Sequence, residues 1–155
     1  MSPRTIDAAL HSTRAMAFII KGLYYRNLKI KTAQNNLLIV ELANRLLQMY
    51  RHERHNDWHW FESYLTYANS LLPEAMLYAW LNTGNILYKE VAVEAFDFLL
   101  SKTFSPSRIK VISNQGWYHK GKAANQFGEQ PIDVAYTILA LQTFYQVYED
   151  ETYKD

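Results

Sequence analysis

The segment Thr32–Tyr50, with the sequence TAQNNLLIVELANRLLQMY, decides the fold class. Glu41, Arg45 and Gln48 fall on one side of a helix built on this segment, where they face water. Thr32 is a suitable N-cap, because its hydroxyl can accept a hydrogen bond from a backbone N–H of the first turn. The opposite side carries an apolar stripe at spacings of three and four, which predicts an amphipathic helix: Leu38, Leu42, Ala43, Leu46, Leu47 and Tyr50.

The segment that precedes this one predicts a partner helix. Ser2-Pro3 is typical of a helix start, with a serine N-cap and proline at the first helical position. The pattern ends near Arg26-Asn27, so this helix and the next form an antiparallel hairpin. Its apolar positions again recur at helical spacing: Ile6, Leu10, Thr13, Ala17, Ile20 and Tyr24.

A second hairpin follows. Pro73 is tolerated in the first turn of a helix but not in its interior, so a third helix begins near Ser70, a candidate cap, and runs to about Leu81. Asn82-Thr83-Gly84-Asn85 interrupts the chain. A fourth helix is indicated by the stripe of Tyr88, Val91, Ala92, Ala95, Phe96, Leu99 and Leu100.

The longest irregular segment lies between the fourth and fifth helices. From Phe104 to Gln130 only Ile109 and Val111, extended by Ser113 at most, alternate like a short strand. Long loops of this kind often carry function. Pro131 suits the first position of a fifth helix. We therefore expect an all-α fold of antiparallel helical hairpins with one long aromatic loop, in a single domain spanning residues 1–155.

Composition limits the possible partners. The chain has 155 residues, 49% of them hydrophobic, which is enough for one core. Sixteen basic and fifteen acidic residues leave a formal net charge of +1, and the basic residues are scattered, so nucleic acid is not an expected partner. Cysteine is absent, which excludes disulfides and thiolate chemistry. We find no signal peptide and no apolar run long enough to span a bilayer, so we expect a cytoplasmic protein with no membrane partner.

The first cluster with possible chemistry leads into the third helix. It contains Asp57-Trp58-His59-Trp60-Phe61-Glu62, then Tyr67 and Asn69. Indole faces stack on pyranose rings, while carboxylate and amide groups bind hydroxyls, so this mixture suits a sugar at the N-terminal mouth of the helix. The alternative is that the two tryptophans plug the core while Asp57 and Glu62 cap or pair nearby.

A second cluster leads into the fifth helix in the same way. Gly116-Trp117-Tyr118-His119 is followed by Phe127-Gly128-Glu129-Gln130-Pro131-Ile132-Asp133. The two clusters could line one funnel, with Trp58, Trp60 or Trp117 as platforms and with Glu62, Glu129 and Gln130 binding hydroxyls. Alternatively, Glu129 and Asp133 merely offset the helix dipole.

The string Trp-x-Trp-Phe-Glu-x-x-Leu-Thr-Tyr-x-Asn-x-x-Leu-Pro-x-Ala, which begins at Trp58, resembles the six-hairpin glycosidase-like superfamily. It is similar in particular to helical domains associated with bacterial glycosyltransferases. The resemblance implies part of an (α/α) toroid with a carbohydrate ligand, although Glu129-Gln130 replaces the two glutamines common in relatives. A closed toroid needs about twelve helices of roughly twelve residues each. We therefore expect this chain to be the C-terminal portion of a larger toroid, completed by a missing portion of the same protein or by a homo-oligomer.

Glycoside hydrolysis requires two carboxylates, and Glu62 with Glu129 is the candidate catalytic pair, with Asp57 as the alternative partner of Glu62. We find no Gly-rich nucleotide loop and no Asp-x-Asp motif, so any transferase chemistry belongs to another domain. His52, His55 and His59 are better interpreted as a solvated helix end than as a metal site, and no cofactor is expected.

Two hypotheses therefore stand. In the first, a carbohydrate-active toroid binds or processes a glycan through the clusters above. In the second, the chain is a noncatalytic interaction or scaffold module whose aromatic residues form core and interface. Exposed indoles at Trp60 and Trp117, with Glu62 and Glu129 facing a cavity, favour the first; buried indoles with the carboxylates outside favour the second.

Overall fold

The computed structural model describes residues 12–105, 108–109, 118–120 and 131–148. These residues are mostly helical, which confirms the predicted all-α class. None of the helices in these ranges is long and apolar enough to cross a membrane. The described elements are α1 (Thr13–Lys29), α2 (Ala33–Glu53), β1 (Tyr64–Leu65), α3 (Leu71–Thr83), α4 (Ile86–Thr103), β2 (Phe104–Ser105), β3 (Arg108–Ile109), β4 (Tyr118–His119) and α5 (Pro131–Tyr148).

The predicted start of α2 is correct, whereas the predicted start of α1 is wrong. Thr32 caps α2 as predicted, since its Oγ1 accepts from the N–H of Asn35 at 3.1 Å. The continuous helix predicted from Pro3 is wrong at Ser12, which is extended (φ −103°, ψ 118°) and caps α1 by accepting from the N–H of Ala15 at 3.2 Å. A serine side chain competes with the helix for backbone donors, and the spacing of apolar residues gives no information about that competition. The predicted Ser2 cap lies outside the described residues.

The start of α3 is built by a turn rather than by a side-chain cap. Pro73 is the third helical residue, so the helix starts where its ring requires. Ser70 occupies the N-cap position, but its backbone is helical and its side chain makes no capping hydrogen bond, so the predicted capping role is wrong. Instead, the N–H of Leu71 donates to the carbonyl of Ala68 at 3.2 Å. Ala68 has a φ of 48°, which is unusual for a residue with a side chain.

Helix α3 is the centre of the core. Every residue of its first nine, from Leu71 to Ala79, is buried, and the helix packs against α1, α2, α4 and α5. Helices α1 and α3 run parallel, because Arg14 contacts Asn69 at one end and Asn27 contacts Asn82 at the other. The short connections make α1–α2 and α3–α4 the two predicted hairpins, with the loop of residues 54–70 at the N-terminal end of α1 and α3.

Helix α5 docks on α3 through a buried polar cluster as well as through apolar contacts. Glu74, only 1% exposed, lies 3.1 Å from the ammonium of Lys21, and its Oε1 accepts from the hydroxyls of Tyr78 at 3.1 Å and Thr143 at 3.4 Å. Burial raises the pKa of the Tyr78 phenol above its usual range, so this hydroxyl stays a donor at neutral pH. The cluster fixes α1, α3 and α5 relative to one another.

Gly84, at the end of α3, allows backbone strain to be tested alone, because an added side chain there would cause no steric clash. Gly84 has a φ of 76° and terminates the helix, while a Cβ added there would meet nothing within 4 Å. We expect Gly84→Ala to lower the free energy of unfolding by about 1 kcal/mol, because only the left-handed backbone is penalised. Gly22→Ala is the matched control: Gly22 is exposed within α1 and has equal space. It should raise stability by about 0.5–1 kcal/mol in urea denaturation, and equal signs for the two variants would contradict this prediction.

Candidate functional site

A polar pocket lies where the loop before α3 meets the N-terminus of α1. Its volume is about 270 Å³, slightly below the range of roughly 300–1,000 Å³ that is usual for ligand clefts, so size alone favours a single small ligand. The pocket is lined by Ser12, Thr13, Arg14, Glu62, Tyr64, Thr66 and Tyr67. 

The centre of this pocket is a largely buried ion pair between Arg14 and Glu62, whose side chains are 7% and 11% exposed. Arg14 is 6% exposed, and its guanidinium donates to Oε1 of Glu62. Oε2 of the same carboxylate accepts from the hydroxyl of Thr13 at 3.1 Å. Both carboxylate oxygens therefore have a donor, which offsets the cost of burying the charge and holds the carboxylate in one orientation.

The other donors of Arg14 bind the loop that carries Tyr67. Nη2 donates to Oδ1 of Asn69 at 3.1 Å, and Nε donates to the carbonyl of Tyr67 at 3.1 Å. Asn69 also closes a ring with Thr66, accepting from its N–H and donating to its carbonyl, both at 3.0 Å. Asn69 is only 7% exposed, so it positions the loop from behind the pocket rather than presenting its amide to a ligand.

Tyr67 supplies the accessible aromatic ring of the pocket. It is 49% exposed, and the guanidinium carbon of Arg14 lies 5.4 Å from its ring centroid. Tyr64 adds a phenol beside the carboxylate. The charge of Glu62, followed by burial, raises the pKa of Tyr64, so this phenol remains protonated at neutral pH.

Both tryptophans of the first cluster lie in the core. Trp58 is 3% exposed and donates from Nε1 to the carbonyl of Glu62 at 2.8 Å, so it positions the backbone of the pocket wall. Trp60 has no exposed surface and packs edge-on against Phe61, with 5.3 Å between ring centroids. A stacking platform needs an accessible indole face, which neither Trp58 nor Trp60 has, so their burial favours the alternative in which the two indoles plug the core.

The remaining predicted residues are placed as follows. Asp57 is exposed in the turn before Trp58 and does not line the pocket. Strand β4 pairs with β1 in antiparallel register, with Tyr64 opposite His119, so this part of the second cluster adjoins the first. Trp117, Glu129 and Gln130 lie outside the described residues, and so does the predicted pairing of Glu62 with Glu129.

The sequence interpretation missed Arg14, which has the most contacts in the site. The available signal was its position: Arg14 falls between Leu10 and Ala17 on the predicted apolar side of the first helix. An arginine is rarely buried unless it is paired, so a cation on a buried face predicts an acidic partner. Spacing along the chain could not identify that partner, because Glu62 lies 48 residues away.

The three histidines considered for metal binding do not converge. Nδ1 of His52 lies 3.4 Å from Glu53, whereas Nδ1 of His59 lies 3.7 Å from Glu94. Within the described ranges, no group of three histidine, aspartate or glutamate side chains is placed to hold a metal ion.

Comparisons of the chain with family models, with curated proteins and with solved structures found no match. The chemistry of the pocket is therefore argued from its own geometry. It combines an oriented carboxylate, several hydroxyl groups and an accessible aromatic ring, which are the groups that bind a polyhydroxylated ligand.

Proposed function

We propose that this chain binds a carbohydrate in the pocket formed by Arg14, Glu62, Tyr64 and Tyr67. The observation that carries the proposal is the oriented carboxylate of Glu62 beside the half-exposed ring of Tyr67. A pyranose can place its apolar face on the phenol ring while its hydroxyls donate to the carboxylate. Tyr67 takes the stacking role that the sequence assigned to tryptophan.

We also propose that the helices of this chain form part of an (α/α) toroid. The central helix α3 packs against the α1–α2 hairpin, its own hairpin partner α4 and α5, which is compatible with a segment of an (α/α) toroid. Phe18 on α1 and Ile138 and Leu139 on α5 are 46%, 51% and 47% exposed. A missing portion of the protein or a second copy would cover such lateral apolar faces, as the resemblance implies.

Ligand binding fits the described geometry better than bond cleavage does. Hydrolysis needs a second carboxylate about 5–10 Å from the first, across the scissile bond. Asp57, the alternative partner of Glu62, does not line the pocket, whereas the remaining lone pairs of the Glu62 carboxylate can still accept a hydrogen bond from a sugar hydroxyl. We therefore propose that Glu62 orients a sugar hydroxyl.

The experiment is a titration of the ¹⁵N-labelled protein with mono- and oligosaccharides, followed by two-dimensional NMR. The indole Nε1–H of Trp58 is the reporter, because it donates to Glu62 in the pocket wall. We expect a saturable shift of this signal, which a Trp58→Phe spectrum assigns. Tyr67→Ala should weaken binding at least about tenfold, equivalent to roughly 1.4 kcal/mol, because it removes the stacking face.

Tyr25→Ala is the matched control, since Tyr25 is 50% exposed but lies outside the pocket. It should leave the affinity unchanged. If no sugar gives a saturable shift, or if the two tyrosine variants weaken binding equally, the carbohydrate proposal fails. The noncatalytic interaction module would then be the better interpretation, because burial of Trp58 and Trp60 already favours it.

A further inference from the structure

One end of the helix bundle brings together the α1–α2 and α3–α4 connections. Nδ2 of Asn27 donates to Oδ1 of Asn36 and to Oδ1 of Asn82, both at 2.9 Å, and Nδ2 of Asn82 donates to Oδ1 of Asn36 at 2.9 Å. Asn35 joins this group through Asn27 at 3.2 Å. We call this region, at the opposite end of α1 from the pocket of Arg14 and Glu62, the asparagine end. Its amides satisfy one another and tie the two turns together.

Exposed aliphatic residues accompany the asparagine end. Leu28, Ile30 and Leu37 are 65%, 68% and 71% exposed, and Ile86 at the start of α4 is 53% exposed. Leu28 lies in the last turn of α1, Ile30 is its C-cap, Ile86 is the first residue of α4, and Leu37 lies in the second turn of α2. Single exposed apolar residues are ordinary, but several gathered at one end indicate an interaction surface.

The same region is basic. From Ser12 to Val40 the sequence contains no aspartate or glutamate. Of the cations in this segment, Arg14 and Lys21 pair with buried carboxylates, whereas Arg26, Lys29 and Lys31 are exposed around Leu28 and Ile30. Cations in the last turn of α1 also favour the helix dipole, but that effect explains neither Lys31, which lies beyond the helix, nor the exposed aliphatic residues.

We propose that the asparagine end is a docking surface for an anionic lipid bilayer. Leu28, Ile30 and Leu37 enter the boundary between headgroups and acyl chains, while Arg26, Lys29 and Lys31 contact anionic headgroups. Peripheral membrane surfaces combine apolar side chains that enter the acyl boundary with lysine and arginine that attract anionic lipids. The sequence prediction of no membrane partner rested on the lack of an apolar run long enough to span a bilayer, and peripheral docking does not require such a run.

Charge and composition distinguish a bilayer from other occupants. A second copy placed against this end would bring like charges together, which is unfavourable. Protein interfaces are enriched in aromatic residues, methionine and arginine and are depleted in lysine, whereas this surface combines lysine with leucine and isoleucine. An anionic bilayer complements both its charge and its apolar projections.

The test is flotation of the full chain with vesicles of phosphatidylcholine and phosphatidylserine, compared with vesicles of phosphatidylcholine alone. We expect binding to the anionic vesicles that weakens as salt is raised. Lys29→Glu/Lys31→Glu should reduce this binding at least about tenfold. Leu28→Ser/Ile30→Ser should also reduce it, but should leave its salt dependence in place.

Two control variants separate this surface from general effects. Arg51→Glu/Lys102→Glu makes the same change in net charge at exposed positions away from the asparagine end, and Ile138→Ser removes an apolar residue of similar exposure from a lateral face. Neither should reduce flotation, and circular dichroism checks the fold of each variant. Failure of the wild type to float with anionic vesicles, or equal losses in the controls, overturns the proposal. Binding to poly-glutamate without binding to vesicles also overturns it, in favour of an acidic protein partner.

Discussion

Replacing Arg14 by methionine is expected to lower the free energy of unfolding by about 3–5 kcal/mol, because it leaves a buried carboxylate without its cation. Arg14 is 6% exposed and donates to Glu62, Asn69 and the carbonyl of Tyr67, so the variant also loses the contacts that hold the loop before α3. Urea denaturation at neutral pH measures the change.

Two further variants separate the charge from the packing. Arg14→Met/Glu62→Leu should recover much of the loss, because a buried ion pair replaced by apolar residues is often close to neutral. Arg45→Met is the control at the exposed Arg45–Glu41 pair, where the atoms lie 3.7 Å apart, and it should change stability by no more than about 0.5 kcal/mol. If Arg14→Met costs no more than Arg45→Met, the pair does not support the pocket.

The features predictable from the sequence were those that local chemistry determines. Thr32 and Pro73 mark helix starts in the structure, since a cap or a proline acts within one turn. The break at Ser12 was not predicted, because the apolar spacing continues across it. Ser70 has a capping residue type, but the adjacent turn positions its backbone differently.

The site was predictable in part for the same reason. Glu62 and Tyr67 lie in the loop before α3, and the start of that helix could be placed from Pro73. Arg14 reaches this loop only through the parallel packing of α1 and α3, which no local pattern specifies. The burial of Trp58 and Trp60 was equally undetermined, because an indole suits a core and a ligand platform alike.

Replacing Trp60 by alanine is expected to destabilise the protein by about 3–5 kcal/mol, which makes this residue a structural element rather than a ligand contact. Trp60 has no exposed surface, and its ring packs against Phe61. Its Nε1 has no hydrogen-bond partner in the part of the chain that the structure describes, so Trp60→Phe should lose little beyond ring volume. We expect that variant to cost about 1–2 kcal/mol in urea denaturation.

The combination of stability and sugar binding then distinguishes the two roles of Trp60. Trp80 is the matched control, because it is only partly buried and lies under the ammonium of Lys89, with 4.9 Å from Nζ to the ring centroid. Trp80→Ala should cost less than Trp60→Ala, since part of its ring already meets water. If Trp60→Ala keeps wild-type stability but abolishes sugar binding, its indole contacts the ligand and the core assignment is wrong. If Trp60→Phe folds and binds sugar normally while Tyr67→Ala no longer binds sugar, Tyr67 is the residue that stacks on the ligand.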